Sequence, residues 1–182
     1  MRRDNSKVLV VDLESACWMG HPPNGQSNEI IEIGLSVLDV KSLTIEDSVS
    51  YIVKPRHSKI SSFCTKLTTI TQEMVDNGED LKVVTPKIIK KYGSQRYLWA
   101  SYGEYDKNQM KHYCNMHNAI YPFSDMHLNL KTFASMFYGI KEVGMEELLK
   151  NLDIPLEGTH HRGVDDSYNL AKILIEILKK GR

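Results

Sequence analysis

The stretch VLVVDLE, residues 8–14, constrains this chain more than any other. A continuous β-branched run offers no polar face to solvent, so it predicts a strand buried on both sides, inside a sheet covered by helices. Acids are depleted from such strands because they are costly to bury, yet this one ends in Asp12 and Glu14. Residues two apart on a strand share a face, so the two carboxylates stand side by side. At that separation they repel, and either a proton or a cation must relieve the repulsion.

The rest of the chain supplies partners for that strand. After a Pro-, Gly- and Asn-rich loop at 19–28, EIIEIGLSVLDV (29–40) and SVSYIVKP (48–55) read as two further strands. Turn residues at hairpin distance make the first three strands an antiparallel meander. SSFCTKLTTITQEMVDNG, from Ser61, reads as short helical turns joined by a threonine-rich corner. Thr85-Pro86 followed by KIIKKYG predicts a helix capped by Thr85, with proline at its first position and a closing glycine. YLWASYG (97–103) reads as a buried strand and DKNQMKHYCNMHN (106–118) as a helix opening on an acid. HLNLKTFASMFYG and MEELLKNLD are further helices, and VDDSYNLAKILIEILKKG closes the chain as a long amphipathic one. The expected architecture is one α/β domain, 1–182, with a mixed central sheet flanked by helices.

Composition narrows the function classes. Lysine plus arginine equals aspartate plus glutamate at 23 each, so bulk charge does not drive nucleic-acid binding and any basic groove is local. Three cysteines without a CxxC spacing argue against a disulfide framework and for a reducing, intracellular setting, taken as cytoplasmic. The basic opening MRRDNSK leads into a short run that contains an acid, so it is not read as a signal peptide, and no stretch has the length of a membrane span.

Two further places gather chemistry. Asp106 directly follows a predicted central strand, where open α/β sheets collect ligands. His161 precedes Asp166 by five residues at the start of the last helix, where Asp165 and Asp166 point about 100° apart, so at most one faces a shared site. Each has a plain structural explanation by itself: a solvated strand end, a helix cap, a surface histidine. Together, three acids on strand ends and a helix start, with a fourth on the closing helix, fit a dinuclear site. Oxygen-only ligands suit Mg²⁺ or Mn²⁺ rather than zinc. HYCNMH invites a zinc reading, but His112 and His117 are about 140° apart on a helix and share no face.

The set Asp12, Glu14, Asp106, His161 and Asp166 resembles the DEDDh, or DnaQ-like, 3′-to-5′ exonucleases, which have an RNase H-like fold. The segments DLESACW, HPPNGQSNEIIEIG, SSFCTKLTTITQEMVD and HHRGVDDSYNLAKI, in that order, are similar to the Eri-1-like, or three-prime histone exonuclease, branch. Two departures stand near the expected substrate groove: Thr69 where the family usually has glycine, and YGEYD where relatives often carry a tryptophan before the aspartate. The resemblance implies two-metal hydrolysis of the terminal phosphodiester. Asp12, Glu14 and Asp166 would hold one Mg²⁺ or Mn²⁺ ion, Asp12 would bridge to a second supported by Asp106, and His161 would be the general base. Leu13 and Ser15 would hold the 3′-terminal sugar, while Phe63, Leu67 and Ile70 would wedge or stack against terminal bases. His160 is a spare neighbour on this reading. The expected substrate is a single-stranded or 3′-overhanging end, RNA on the branch resemblance. A DNA-directed or oligonucleotide-degrading exonuclease and a non-catalytic nucleic-acid-binding module stand as alternatives. The chain has no expected room for the accessory binding domain some relatives carry.

Overall fold

A computed structural model describes residues 4–181; Arg182 and Met1–Arg3, which hold part of the basic opening, lie outside the described residues. The buried strand β1 (Asp4–Ser15) is the third of five in a mixed sheet of order β3-β2-β1-β4-β5. β2 (Ile30–Asp39) and β3 (Thr44–Ile52) continue from it as the expected antiparallel meander. β4 (Tyr97–Ser101) and β5 (His127–Asn129) add to its other side in parallel.

Period-2 alternation along β1 feeds two cores. Leu9, Val11 and Leu13 pack toward α3 (Leu81–Tyr92) and α4 (Tyr105–His117). Val8 and Val10 pack toward α5 (Leu130–Tyr138), α6 (Met145–Asn151) and the long α7 (Gly163–Lys180). A third cluster, around Cys64, Ile70 and Val75, sits under the short helices α1 (Ser62–Thr68) and α2 (Gln72–Asp76). Cys17, Cys64 and Cys114 are free thiols. No helix among the described residues is long and apolar enough to cross a membrane.

Three local expectations are corrected. α3 begins at Leu81, where the Asp80 side chain accepts the Lys82 N–H, and not at Pro86 with Thr85 as cap. Leu81, Val84 and Ile88 recur at helical spacing and bury one face. That burial carries the helix through Pro86 despite the hydrogen bond proline cannot make, and leaves the Thr85 hydroxyl buried without a partner. His127–Asn129 form a strand instead of the first turn of a helix, because β4 offers a free edge and Asn129 caps α5 through the Thr132 N–H. β3 starts at Thr44 and ends at Ile52, ahead of the expected 48–55.

One contact brings the last helix to the strand ends. A Cβ on Gly34 of β2 would lie 1.8 Å from the carbonyl carbon of Gly163, so only glycine lets the N-terminus of α7 rest on the sheet there. Gly34 pairs with Asp12, and α7 therefore starts beside the first carboxylate of β1.

Candidate active site

The C-terminal end of β1, the start of α4 and the start of α7 enclose a cleft of about 310 Å³. Asp12, Leu13, Glu14, Asp106, His160, His161 and Asp166 line it together with Tyr102, Tyr105, Lys131, Gly144 and Met145. All five residues singled out as DEDDh-like thus meet in one place. Carboxylate oxygens of Asp12, Glu14 and Asp166 lie within 4.8 Å of one another. Asp106, in the first turn of α4, is held by the Leu13 N–H of β1, which donates to its Oδ1 at 3.0 Å.

Crowding sets the electrostatics. Burial, then the charges of Asp106, Glu14 and Asp166, raise Asp12 well above the usual carboxylate range. Glu14 is pushed up to about 9 by burial and by Asp166, Glu32 and Asp106, against the opposing pull of Arg162. Burial raises Asp106 to about 6, although hydrogen bonds from the Leu13 and Asp106 backbone and from Ser101 act the other way. Asp166 is also raised by burial, with His160 opposing. Four acids that cannot ionise together in a partly buried cleft are the donor set a hard divalent cation needs, so Mg²⁺ or Mn²⁺ fits.

The histidines differ from the expected picture. His160 Nδ1 lies 3.1 Å from each Asp166 oxygen, while His161 gives that carboxylate only its backbone N–H, at 2.9 Å. The two rings stack with centroids 3.9 Å apart. The spacing that selected His161 could not show this, because ring placement depends on the loop. His161 adopts φ 66°, in the left-handed region. Burial, and then the neighbouring His160 charge, lower the His161 pKa and favour its neutral ring.

Sequence reasoning missed Glu32 and Arg162. Glu32 is fully buried on β2, where it accepts from Arg162 Nε and Nη2, each at 3.2 Å, from the Gly163 N–H at 2.9 Å and from Ser50 Oγ at 2.5 Å. It thereby serves the N-terminus of α7, whose own N-cap, Arg162, makes no side-chain capping bond. The available signal was an acid inside the otherwise apolar IIEIG.

The expected substrate-binding residues divide. Phe63 and Leu67 on α1 line a second cavity of about 650 Å³ with Met19, Ser62 and Lys66. Ile70 does not reach it: its side chain is 0% exposed in the core with Cys64 and Val75, which corrects its place among the base-contacting residues. Leu13 borders the first cleft, and Ser15 Oγ accepts from Tyr105 Oη and Gln109 Nε2, both at 3.3 Å. His112 is exposed and His117 buried, on different sides of α4 as the helical spacing predicts.

A family model described as RNase_T: Exonuclease matches residues 9–174. The Homo sapiens 3′-5′ exoribonuclease 1 is 30% identical over 96% of this chain, which spans 53% of that protein, about half the length of the curated relatives it matches. Among solved structures, the nuclease domain of 3′hExo, a DEDDh family member bound to rAMP, superposes with a TM-score of 0.88 at 29% identity. That match covers 100% of this chain and 96% of the other. A 3′-exonuclease solved for 3′-end-specific recognition of the histone mRNA stem-loop gives 0.87 at 29% identity, covering 97% of this chain and 83% of that one. The mixed five-stranded sheet with flanking helices is the RNase H-like fold of these DEDDh nucleases. With the match running from the central strand into the last helix, the chain belongs to the RNase_T exonuclease family.

Proposed function

We propose that this chain is a metal-dependent exonuclease domain that removes nucleotides one at a time from the 3′ end of single-stranded or overhanging RNA. The observation that carries the reading is the convergence of Asp12, Glu14, Asp106 and Asp166 with two histidines in one cleft. The choice of RNA rests on the likeness to a protein named exoribonuclease and to a nuclease domain bound to rAMP.

Asp12, Glu14 and Asp166, whose carboxylate oxygens lie within 4.8 Å of one another, would hold one divalent cation, Mg²⁺ or Mn²⁺, and Asp106 on the same cleft would help hold a second. Bound there, such cations lower the pKa of water and offset charge on the attacking and leaving oxygens. His161, neutral near pH 7, accepts the proton of the attacking water. His160 keeps Asp166 turned toward the cleft through its two contacts to that carboxylate. Leu13 and Ser15 border the place of the terminal sugar, and Phe63 and Leu67 receive the bases behind it.

Matched RNA and DNA oligonucleotides labelled at either end, with Mg²⁺ or Mn²⁺, test the reading. The expected result is stepwise loss from the 3′ end, faster on RNA, with closed circular strands left intact. Nicking of circles would overturn the end-dependent reading, and faster DNA digestion would move the substrate class to DNA.

A further inference from the structure

Two strained backbone positions meet at Arg162. Thr69 ends α1 at φ 62° and His161 precedes α7 at φ 66°. A β-branched residue in the left-handed region is a true outlier, and such strain persists only where the surroundings over-determine it. Glycine would take φ 62° without steric cost, so stability alone does not call for threonine at 69. The threonine supplies a hydroxyl, and its Oγ1 accepts from Arg162 Nη1 at 3.3 Å.

The other end of that guanidinium is anchored. Nε and Nη2 donate to the two oxygens of Glu32, which is 0% exposed and bonded also to Ser50 and Gly163. Arg162 itself is only 21% exposed, so this is a fixed fork on the sheet and not a mobile surface pair. Arg162 adjoins His161 in the chain, and His161 is pinned on its other side by its N–H to Asp166. Thr69 terminates the helix that carries Phe63 and Leu67.

We propose that Arg162 is a positioning residue for His161 and that Thr69 is its latch, together joining the histidine loop of the cleft to α1, the helix that lines the neighbouring cavity. The proposal rests on the reading of His161 as the base. A strand seated against α1 then meets His161 at a distance set by the Glu32–Arg162–Thr69 chain, and displacements of about 1 Å in such placements cost up to ~10²-fold in rate.

Thr69→Gly separates positioning from structural support, because it removes the hydroxyl while relieving the strained φ. Its kcat is expected to fall about 5- to 10-fold with KM changed less than about twofold and the melting temperature no lower. Thr69→Ser, which keeps the acceptor, restores turnover. Arg162→Lys keeps the charge but loses the fork, and its kcat falls at least as far as that of Thr69→Gly. In a His161→Ala background, Thr69→Gly adds no further loss, since the latch acts through that ring. Wild-type kcat in Thr69→Gly, an equal fall in Thr69→Ser, or an additive loss in the His161→Ala background would each overturn the latch. Wild-type turnover in His161→Ala alone would instead remove the base assignment. A crippled His161→Ala beside an unaffected Thr69→Gly removes only the latch.

Discussion

His160 and His161 stack face to face but hold different posts. His160 sits on the Asp166 carboxylate through its ring, whereas His161 meets that carboxylate through its backbone N–H. On the proposed assignment, His161→Ala removes the proton acceptor and leaves every carboxylate in place. Turnover at saturating Mn²⁺ should fall ~10²- to 10⁴-fold, while Mn²⁺ affinity measured by calorimetry stays near wild type. Asp166→Asn would delete a negative charge from the proposed ligand set, so both Mn²⁺ affinity and turnover should drop. Equal losses of Mn²⁺ affinity in the two variants would show that the histidine acts on the metal ligands and not on the water. The pairing of His161 with Asp166 was legible from its spacing; the nearer ring of His160 was not, because the left-handed turn at His161 decides which ring faces the carboxylate.

Among the elements, the N-terminus of α7 matters most, since it carries Asp166 to the end of β1. Gly34 and Gly163 make that approach possible by leaving no side chain between strand and helix. Gly34→Ala would place a methyl group 1.8 Å from the Gly163 carbonyl carbon, against backbone that cannot turn aside. The expected result is a loss of about 3 kcal/mol or more in urea unfolding, together with weakened Mn²⁺ binding in the folded fraction. A stable, metal-competent Gly34→Ala protein would mean that α7 is not seated by this contact. The amphipathic pattern announced the helix itself, and no local pattern announced the strand it rests on. α3 makes the converse point: Thr85-Pro86 has the local form of a start, and an earlier cap at Asp80 with a buried Leu81–Val84–Ile88 face overrides it.

At the scale of the whole molecule, the acid cluster links folding to pH and to metal. Glu14 is raised to about 9 and Asp106 to about 6, and Asp12 and Asp166 are raised as well. In the unfolded chain these groups titrate near 4. Between those limits the folded state holds protons that the unfolded state releases, so the stability of the metal-free protein falls as pH rises. Melting temperatures measured in a chelator should decline from about pH 5 to 9. Mn²⁺ replaces the protons and should flatten that decline, adding about 2.7 kcal/mol at a concentration 100-fold above its Kd. A chelator profile independent of pH would show that the four acids do not share one desolvated site.

The sequence by itself determined what depends on near neighbours: the buried strand at 8–14, Asp12 and Glu14 on one face, the antiparallel meander and the long terminal helix. Side-chain period and turn chemistry act over a few residues, so these are readable along the chain. The grouping of Asp106 and a closing-helix acid with them was legible as a fit to a dinuclear site, from their places at a helix start and on the last helix. The family resemblance assigned Asp166 its role, because nothing periodic links acids so far apart. Tertiary structure alone decided that Ile70 is core while Phe63 and Leu67 face a cavity, since the chain turns after α1 at Thr69 and sends Ile70 inward beside Cys64 and Val75. It alone made the Glu32–Arg162–Thr69 chain, whose contacts span 130 and 93 residues. Such contacts form only where the packing of α7 against β2 brings remote charges together and excludes the water that would otherwise solvate them.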